Sequence, residues 1–169
     1  MNTHSNIPVY SVSEQTTNNS TSWVGHAKGD PADIVKGQTF ISSTEGDLEA
    51  IEVYSNIVTA PGKVIMTVYK YDEKQKEWGN PLGMSSLQFD PSDSGKWISF
   101  PINGLHLNKG QSYGFRLESH DSLIGMGEAA GSANDPVFST GQEWRFVQND
   151  NVVDTFSYLS LAFKVEIRA

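Results

Sequence analysis

Two groups of aromatic side chains could bind a sugar, because a sugar ring packs its apolar face on an aromatic ring while nearby polar groups fix its hydroxyls. The first group lies in the acidic segment 134–151, which we predict to be a loop over a rigid scaffold, where binding residues are common. The predicted ligand-binding residues of this group are Phe138, Gln142, Glu143, Trp144 and Arg145. We expect Trp144 to be the main anchor, since hydrogen-bonding side chains adjoin it in sequence.

The second group is a second choice for the same role, on the face of a sheet. Tyr69 and Tyr71 are out of phase with the apolar residues of their strand, and Trp97 is out of phase with Ile98 and Phe100. Each aromatic residue also has an ordinary interpretation, in which a half-buried ring packs against its neighbours and only its polar atom meets water. Tyr69 and Tyr71 also fit cross-strand packing.

Carboxylates are the ligands that calcium prefers, and they are concentrated in part of the chain. From Glu118 to Asp154 there are seven acids and one base, which accounts for -6 of the net charge of -8. Calcium is therefore a possible cofactor, with Asp30, Asp33 and Asp47 as candidate ligands and Glu143 in the later segment. The alternative is a solvated acidic surface that maintains solubility.

Motifs of known catalytic chemistry are missing from the sequence. There is no H-E-x-x-H, no P-loop and no G-x-S-x-G. Gly125 to Ala130 fits G-x-G-x-x-A, but Gly131 and Asn134-Asp135-Pro136 would end the helix that a dinucleotide site requires. The four histidines are far apart and lack metal-ligand spacing. We predict that the protein is not an enzyme.

Charge and composition narrow the partners further. A net charge of -8 without a basic stripe disfavours nucleic acid. The first twenty residues lack the apolar run of a signal peptide or membrane anchor, so we expect no membrane insertion. With no cysteine to indicate a redox compartment, two localisations stay open, the cytoplasm and the mature form of a secreted bacterial protein.

Period-two alternation of apolar residues predicts strands in several segments. The clearest is the C-terminal segment, where Leu159, Leu161, Phe163, Val165 and Ile167 should form one face of a single long strand. The phase slips around residues 48–53, which favours a β-bulge near Ala50.

Gly, Pro, Asn and Asp clusters separate these segments, and no helical periodicity lies between them. We therefore predict an all-β fold, a two-sheet antiparallel β-sandwich of the jelly-roll kind. Residues 22–169 should form one domain, and residues 1–21 a loose arm or an edge strand.

An ordered series of short motifs supports this fold. The series comprises Gln38-Thr39-Phe40, Leu48/Ile51/Val53, Val64/Met66/Val68/Tyr69, Pro81-Leu82-Gly83, Trp97-Ile98-Ser99-Phe100, Leu105/Leu107/Gly110/Tyr113/Phe115/Leu117 and Leu161-Ala162-Phe163. It resembles the jelly-roll accessory domains of bacterial secreted and surface proteins, which begin with a Q-[ST]-F strand and end on an L-A-F strand. The resemblance covers roughly residues 37–167. In such domains an aromatic residue, glycines and a Trp precede the last strand, and Phe138, Gly141 and Trp144 stand in those places. The resemblance implies a non-catalytic role in binding carbohydrate or a cell surface.

Two function classes therefore remain. The first is a binding module for carbohydrate or a cell-surface glycan, and the second is a protein-interaction or structural subunit of a larger assembly. An aromatic groove rimmed with amides and acids would favour the first, and an exposed apolar patch would favour the second.

Overall fold

The structure is a computed structural model that describes residues 7–147 and 152–169. The described chain is built of strands in the order β1 Val9–Gln15, β2 Ser20–His26, β3 Asp33–Ile41, β4 Gly46–Val58, β5 Gly62–Asp72, β6 Glu77–Phe89, β7 Lys96–Pro101, β8 His106–Leu107, β9 Ser112–Glu118, β10 Leu123–Ala130, β11 Glu143–Val147, β12 Val152–Phe156, β13 Leu159–Leu161 and β14 Phe163–Arg168. One 3-10 turn at Pro91–Asp93 is the helical element of this part of the chain. No helix among the described residues has the length and hydropathy needed to span a membrane.

The named strands all pair antiparallel, and the main path of paired strands runs β1-β14-β4-β10-β2-β3-β9-β5-β6. The hairpin of β11 and β12 extends this path from β3, through the pairing of β11 with residues 34–38. The path curls so that strands that are not paired face each other. Phe40 on β3 lies 6.2 Å from Phe163 on β14, measured between ring centroids. This contact across the interior is what a β-sandwich requires, and it confirms the predicted all-β, jelly-roll-like fold class.

The core between the two halves is apolar and aromatic. Its largest members are fully buried, and they include Phe40, Phe89, Phe100, Tyr113, Phe115 and Phe163. Each core residue alternates along its strand with residues on the outer face, as in β9, where Tyr113, Phe115 and Leu117 point inward. The residues between them, Gly114 and Arg116, therefore lie on the outer face of the sheet.

The C-terminal prediction is right about the core face and wrong about the single long strand. Leu161, Phe163, Val165 and Ile167 are at most 1% exposed, whereas Leu159 is only partly buried. The strand is divided at Ala162, because residues 159–161 pair with β10 and residues 163–168 pair with β1 and β4. At the division the Ala162 amide donates to the Gly127 carbonyl oxygen at 2.8 Å.

The predicted bulge near Ala50 is confirmed. Ala50 pairs with Glu166 and Leu48 pairs with Ile167, so Glu49 is the extra residue of β4. Leu48, Ala50 and Ile51 can thereby all be buried although their parity differs.

The N-terminal segment contains ordered strands where the sequence left an arm or an edge strand open. Residues 9–15 pair with β14 and form the end of the sheet path. The domain boundary that we placed before residue 22 falls inside β2.

Candidate functional site

An aromatic surface covers the outer face of the strands β3, β5, β6, β9 and β11. On β5 the alternation places Val68 in the core and Tyr69 outside. Tyr69 pairs with Gly114 of β9, and Tyr71 pairs with Trp78 of β6. On β11, Trp144 pairs with Gly37 of β3, and Phe146 follows it on the same face. Five rings from three strands are thus brought together by the register of the sheet.

The indole of Trp78 lies over two glycines, which provide the space that it occupies. A Cβ on Gly114 would lie 2.5 Å from Cζ3 of Trp78, and a Cβ on Gly37 would lie 3.2 Å from its Cη2. Trp78 also contacts Tyr69 and Tyr71 edge to face, with ring centroids 5.6 Å apart in each pair. This geometry is favourable for aromatic pairs and holds the indole in place.

Arg116 stands among these rings, and we call the set of Tyr69, Trp78, Arg116 and Phe146 the Arg116 cage. The guanidinium carbon lies 4.0 Å from the ring centroid of Phe146, 4.5 Å from that of Trp78 and 4.7 Å from that of Tyr69. Burial lowers the pKa of Arg116 from its usual value, whereas Tyr69 and Glu118 act to raise it. The residue stays a cation, because no arginine loses its proton in the physiological range.

A cavity of about 180 Å³ opens beside the cage and is lined by Val35, Tyr69, Arg116, Glu118 and Phe146. Its walls combine two aromatic rings, one apolar side chain, one cationic group and one carboxylate. Tyr69, Arg116 and Phe146 are all partly exposed, so a ligand can reach them. An apolar wall with a few polar groups is the composition of a small-molecule site.

A second cavity, of about 120 Å³, lies at the end of the same surface. Tyr71 forms one wall, and the others come from Thr39, Glu73, Lys76, Ser112 and residues 139–142. The Tyr71 ring is 6% exposed and packs against Trp78 and Trp144. This cavity is polar, and it adjoins the aromatic surface through Tyr71.

The predicted loop group is not a loop, because Glu143, Trp144 and Arg145 belong to strand β11. Trp144 is 6% exposed, and its indole packs against Tyr71, Trp78 and Phe146. A ring covered in this way offers little surface to a ligand, which corrects our expectation of an exposed anchor. Phe146, stacked on Trp144 and partly exposed, is the accessible member of the pair.

The structure distributes the other members of that group to different places. Phe138 packs edge to face on the core residue Phe163, with ring centroids 5.3 Å apart. Gln142 lines the polar cavity, and its Oε1 accepts a hydrogen bond from Thr155 Oγ1 at 2.9 Å. Arg145 donates through Nε to Asp154 Oδ2 at 3.1 Å.

Glu143 points away from solvent into a buried polar cluster. It is 0% exposed, and its Oε2 accepts from Ser22 Oγ at 3.2 Å. The pKa of Glu143 is raised to about 9, chiefly by burial and then by the hydrogen bond and charge of Glu128, against the opposing effects of Lys36 and Ser22. A hydrogen bond between two carboxyl groups requires a proton on one of them. Glu143 is therefore a protonated structural residue at neutral pH and is inaccessible to a ligand.

The sheet-face group is divided between two surfaces. Tyr69 and Tyr71 belong to the aromatic surface described above, whereas Trp97 lies on β7 beside Tyr54, with ring centroids 5.4 Å apart. Lys164 Nζ lies 4.3 Å from the Trp97 ring centroid and covers it. Trp97 is thus separate from the Arg116 cage.

The calcium candidates each have other partners and do not converge. Asp30 Oδ1 accepts from the Ala32 amide, and Asp47 Oδ1 lies 2.8 Å from His106 Nδ1. Asp33 lies between two histidines, with His26 Nδ1 at 2.8 Å and His120 Nδ1 at 2.7 Å. No group of three or more His, Asp or Glu in the described part of the chain could hold a metal ion.

Sequence reasoning missed Trp78, Arg116 and Phe146. The sequence contains an indication of two of them. The alternation of core residues along β9 places Arg116 on the outer face of the sheet. Trp144 and Phe146 alternate with charged residues, as expected of a strand. Nothing in the sequence around Trp78 indicates that it lies over Gly114.

Comparison with known proteins identifies the fold. The sequence matches no family model and no curated protein. Among solved structures, a clostridial cysteine protease, Cwp84 after propeptide cleavage, matches 98% of this chain and 41% of its own, with 11% identity and a TM-score of 0.56. The cysteine protease and lectin-like domains of Cwp84 from Clostridium difficile match 82% of this chain and 33% of theirs, with 10% identity and a TM-score of 0.49. The chain thus spans about two fifths of the first structure's length. At this identity the likeness to the first structure shows a shared fold alone.

Proposed function

We propose that the protein is a non-catalytic module that binds carbohydrate at the Arg116 cage. The observation that carries this proposal is the cavity of about 180 Å³, in which the rings of Tyr69 and Phe146 stand beside Arg116 and Glu118. The rings supply apolar surface for a sugar ring. Arg116 supplies donors and Glu118 supplies acceptors for hydroxyl groups.

Burial removes one pair of carboxyl groups, Glu128 and Glu143, from the candidates for catalysis. Glycoside hydrolysis requires two carboxyl groups that flank the substrate. Glu143 and Glu128 interact in the interior, and they are 0% and 5% exposed. A polysaccharide chain does not reach them in this fold.

A second candidate function, docking of a partner protein, has its own supporting observation. Trp23 and Ile57 are 38% and 46% exposed, and both pair with Gly125 from opposite sides. The glycine between them leaves an indole and an aliphatic chain side by side on the surface. Exposed apolar surface of this kind fits an interaction or structural subunit.

A glycan array with the purified chain tests the first candidate, with calcium present and again with a chelator. Glycans that bind are then titrated against Phe146→Ala and against the matched control Trp97→Ala, which alters an aromatic residue on the other outer surface. We expect Phe146→Ala to weaken binding by about 2 kcal/mol or more, as for an aromatic anchor. Trp97→Ala should leave the affinity unchanged.

Two results would contradict the proposal. One is an array with no bound glycan at millimolar ligand. The other is binding that Trp97→Ala removes and a folded Phe146→Ala variant retains.

A further inference from the structure

The Arg116 cage contains a buried donor that the fold does not use. Arg116 Nε is buried and has no hydrogen-bond partner among the described residues. The three rings around the guanidinium attract its charge, but an aromatic face is a poor acceptor compared with an oxygen atom. Nε itself is closed to a ligand, so a ligand oxygen must pair with the part of the guanidinium that lines the cavity, where a hydrogen bond to a charged group is stronger than one between neutral groups.

The rings also limit the movement of the guanidinium before a ligand binds. Phe146, Trp78 and Tyr69 contact the guanidinium at 4.0, 4.5 and 4.7 Å, and they restrict its rotation. A planar guanidinium presents paired donors that match the two oxygens of a carboxylate. Because the guanidinium and its fork of paired N–H donors are held in place before binding, little side-chain entropy is lost when a carboxylate pairs with them.

Glu118 makes the two ends of the cavity differ in charge. It lies two residues beyond Arg116 on the same face of β9, and both side chains line the cavity. A ligand carboxylate is attracted by Arg116 and repelled by Glu118, so it must lie at the Arg116 end. At the other end, the Glu118 carboxylate accepts hydrogen bonds from hydroxyl groups.

We infer that the Arg116 cage selects an acidic sugar, a uronic acid residue of a polysaccharide, whose carboxylate pairs with Arg116 while its hydroxyls donate to Glu118. This inference rests on the proposed function and adds the charge of the sugar. A neutral sugar would leave the Arg116 fork without its matching acceptor.

The test compares each acid with its own neutral ester. Trisaccharides of galacturonate, glucuronate and mannuronate, and their methyl esters, are titrated calorimetrically against the full chain. For the trisaccharide that binds, we expect the acid to bind about tenfold or more tightly than the ester. The preference should shrink as salt is added, since a partly exposed ion pair is screened.

Two variants separate charge from geometry. Arg116→Lys keeps the positive charge and loses the fork, so it should lose most of the preference for the acid. Glu118→Gln removes the repulsion, so it should strengthen binding of the acid and leave the ester unchanged or weaker. The second variant alters a partly exposed side chain and gives a result even if the lysine variant does not fold.

The outcomes distinguish this inference from the proposal on which it rests. Equal affinity for acid and ester, or an acid affinity that Glu118→Gln does not raise, would overturn the selection of uronic acids. If the ester or a neutral glycan alone binds, and Phe146→Ala removes that binding, sugar binding stands and the acidic ligand is wrong. If none of the trisaccharides binds and the array is also empty, both are contradicted.

Discussion

The side chain of Gln38 accepts a hydrogen bond from the backbone of Leu161 in the interior of the protein. Gln38 Oε1 lies 2.9 Å from the Leu161 nitrogen, and both residues are at most 1% exposed. The bond crosses from β3 to β13, at the place where the C-terminal segment divides into two strands. It links the Gln38-Thr39-Phe40 and Leu161-Ala162-Phe163 motifs through two residues that are 123 positions apart in the chain.

Gln38→Ala should destabilise the fold by about 1 to 3 kcal/mol, because it leaves the buried Leu161 amide without a partner. Urea unfolding followed by circular dichroism measures the change. Gln75→Ala, at an exposed turn residue, is the control and should stay within about 0.5 kcal/mol of the parent. Equal stability of the Gln38 variant and the parent would show that water replaces the amide oxygen.

Phe163→Ala should cost about 3 to 5 kcal/mol by opening a cavity in the core. The ring is fully buried and touches Phe40, Phe115 and Phe138. Phe156→Ala removes a partly exposed ring and should cost much less. A loss below about 1 kcal/mol for Phe163→Ala would mean that this face of the C-terminal segment is not the centre of the core.

The fold was predictable from sequence because alternation is a local property, whereas the site depends on the register of distant strands. The alternation of Phe163 with its neighbours in β14 predicts a core face within one short segment. Tyr69, Trp78, Arg116 and Phe146 come from four strands, and no segment contains more than one of them. The charged residues of segment 143–147 favour a loop, but the segment pairs with β3, and that pairing places Trp144 where its ring is buried.

Glu143→Gln should stabilise the protein more at pH 8 than at pH 5. The folded-state pKa of Glu143 is raised from 4.5 to about 9, so folding takes up a proton between these values and stability falls as the pH rises. A glutamine keeps the hydrogen bonds of the neutral acid and does not titrate. Urea unfolding of parent and variant at both pH values measures the difference.

The exposed Glu77→Gln serves as the control, and its effect should not show this pH dependence. A Glu143→Gln effect that is the same at pH 5 and pH 8 would mean that Glu143 keeps an ordinary pKa in the folded protein.

Asp33→Asn should lower the pKa of His120. The hydrogen bond to Asp33 raises the pKa of His120 above its usual 6.5; burial opposes this shift, and the charge of Asp33 adds to it. This pair therefore stabilises the fold below pH 6.5, and its stabilisation is lost as the pH rises through the folded pKa. NMR titration of the histidine ring protons measures the shift. The His106 signal is an internal control, because that ring pairs with Glu45 and Asp47. An unchanged His120 titration would show that the contact with Asp33 does not persist in solution.

Gly114→Ala should impair the Arg116 cage without touching a ligand. The backbone of Gly114 is an ordinary strand that accepts alanine, but the new Cβ would lie 2.5 Å from Cζ3 of Trp78 and 2.6 Å from its Cη2. The indole must move, and because Tyr69, Tyr71, Trp144 and Phe146 surround it, the rings that contact Arg116 must move with it. We expect a change in tryptophan fluorescence and a loss of glycan affinity, since a displacement of this size misplaces an aromatic anchor.

Gly83→Ala on β6 is the matched control, because its Cβ would meet only Ile102, at 3.3 Å. If Gly114→Ala shifts the fluorescence of Trp78 and leaves glycan binding intact, the ligand does not depend on the cage, and the binding site lies elsewhere on the surface.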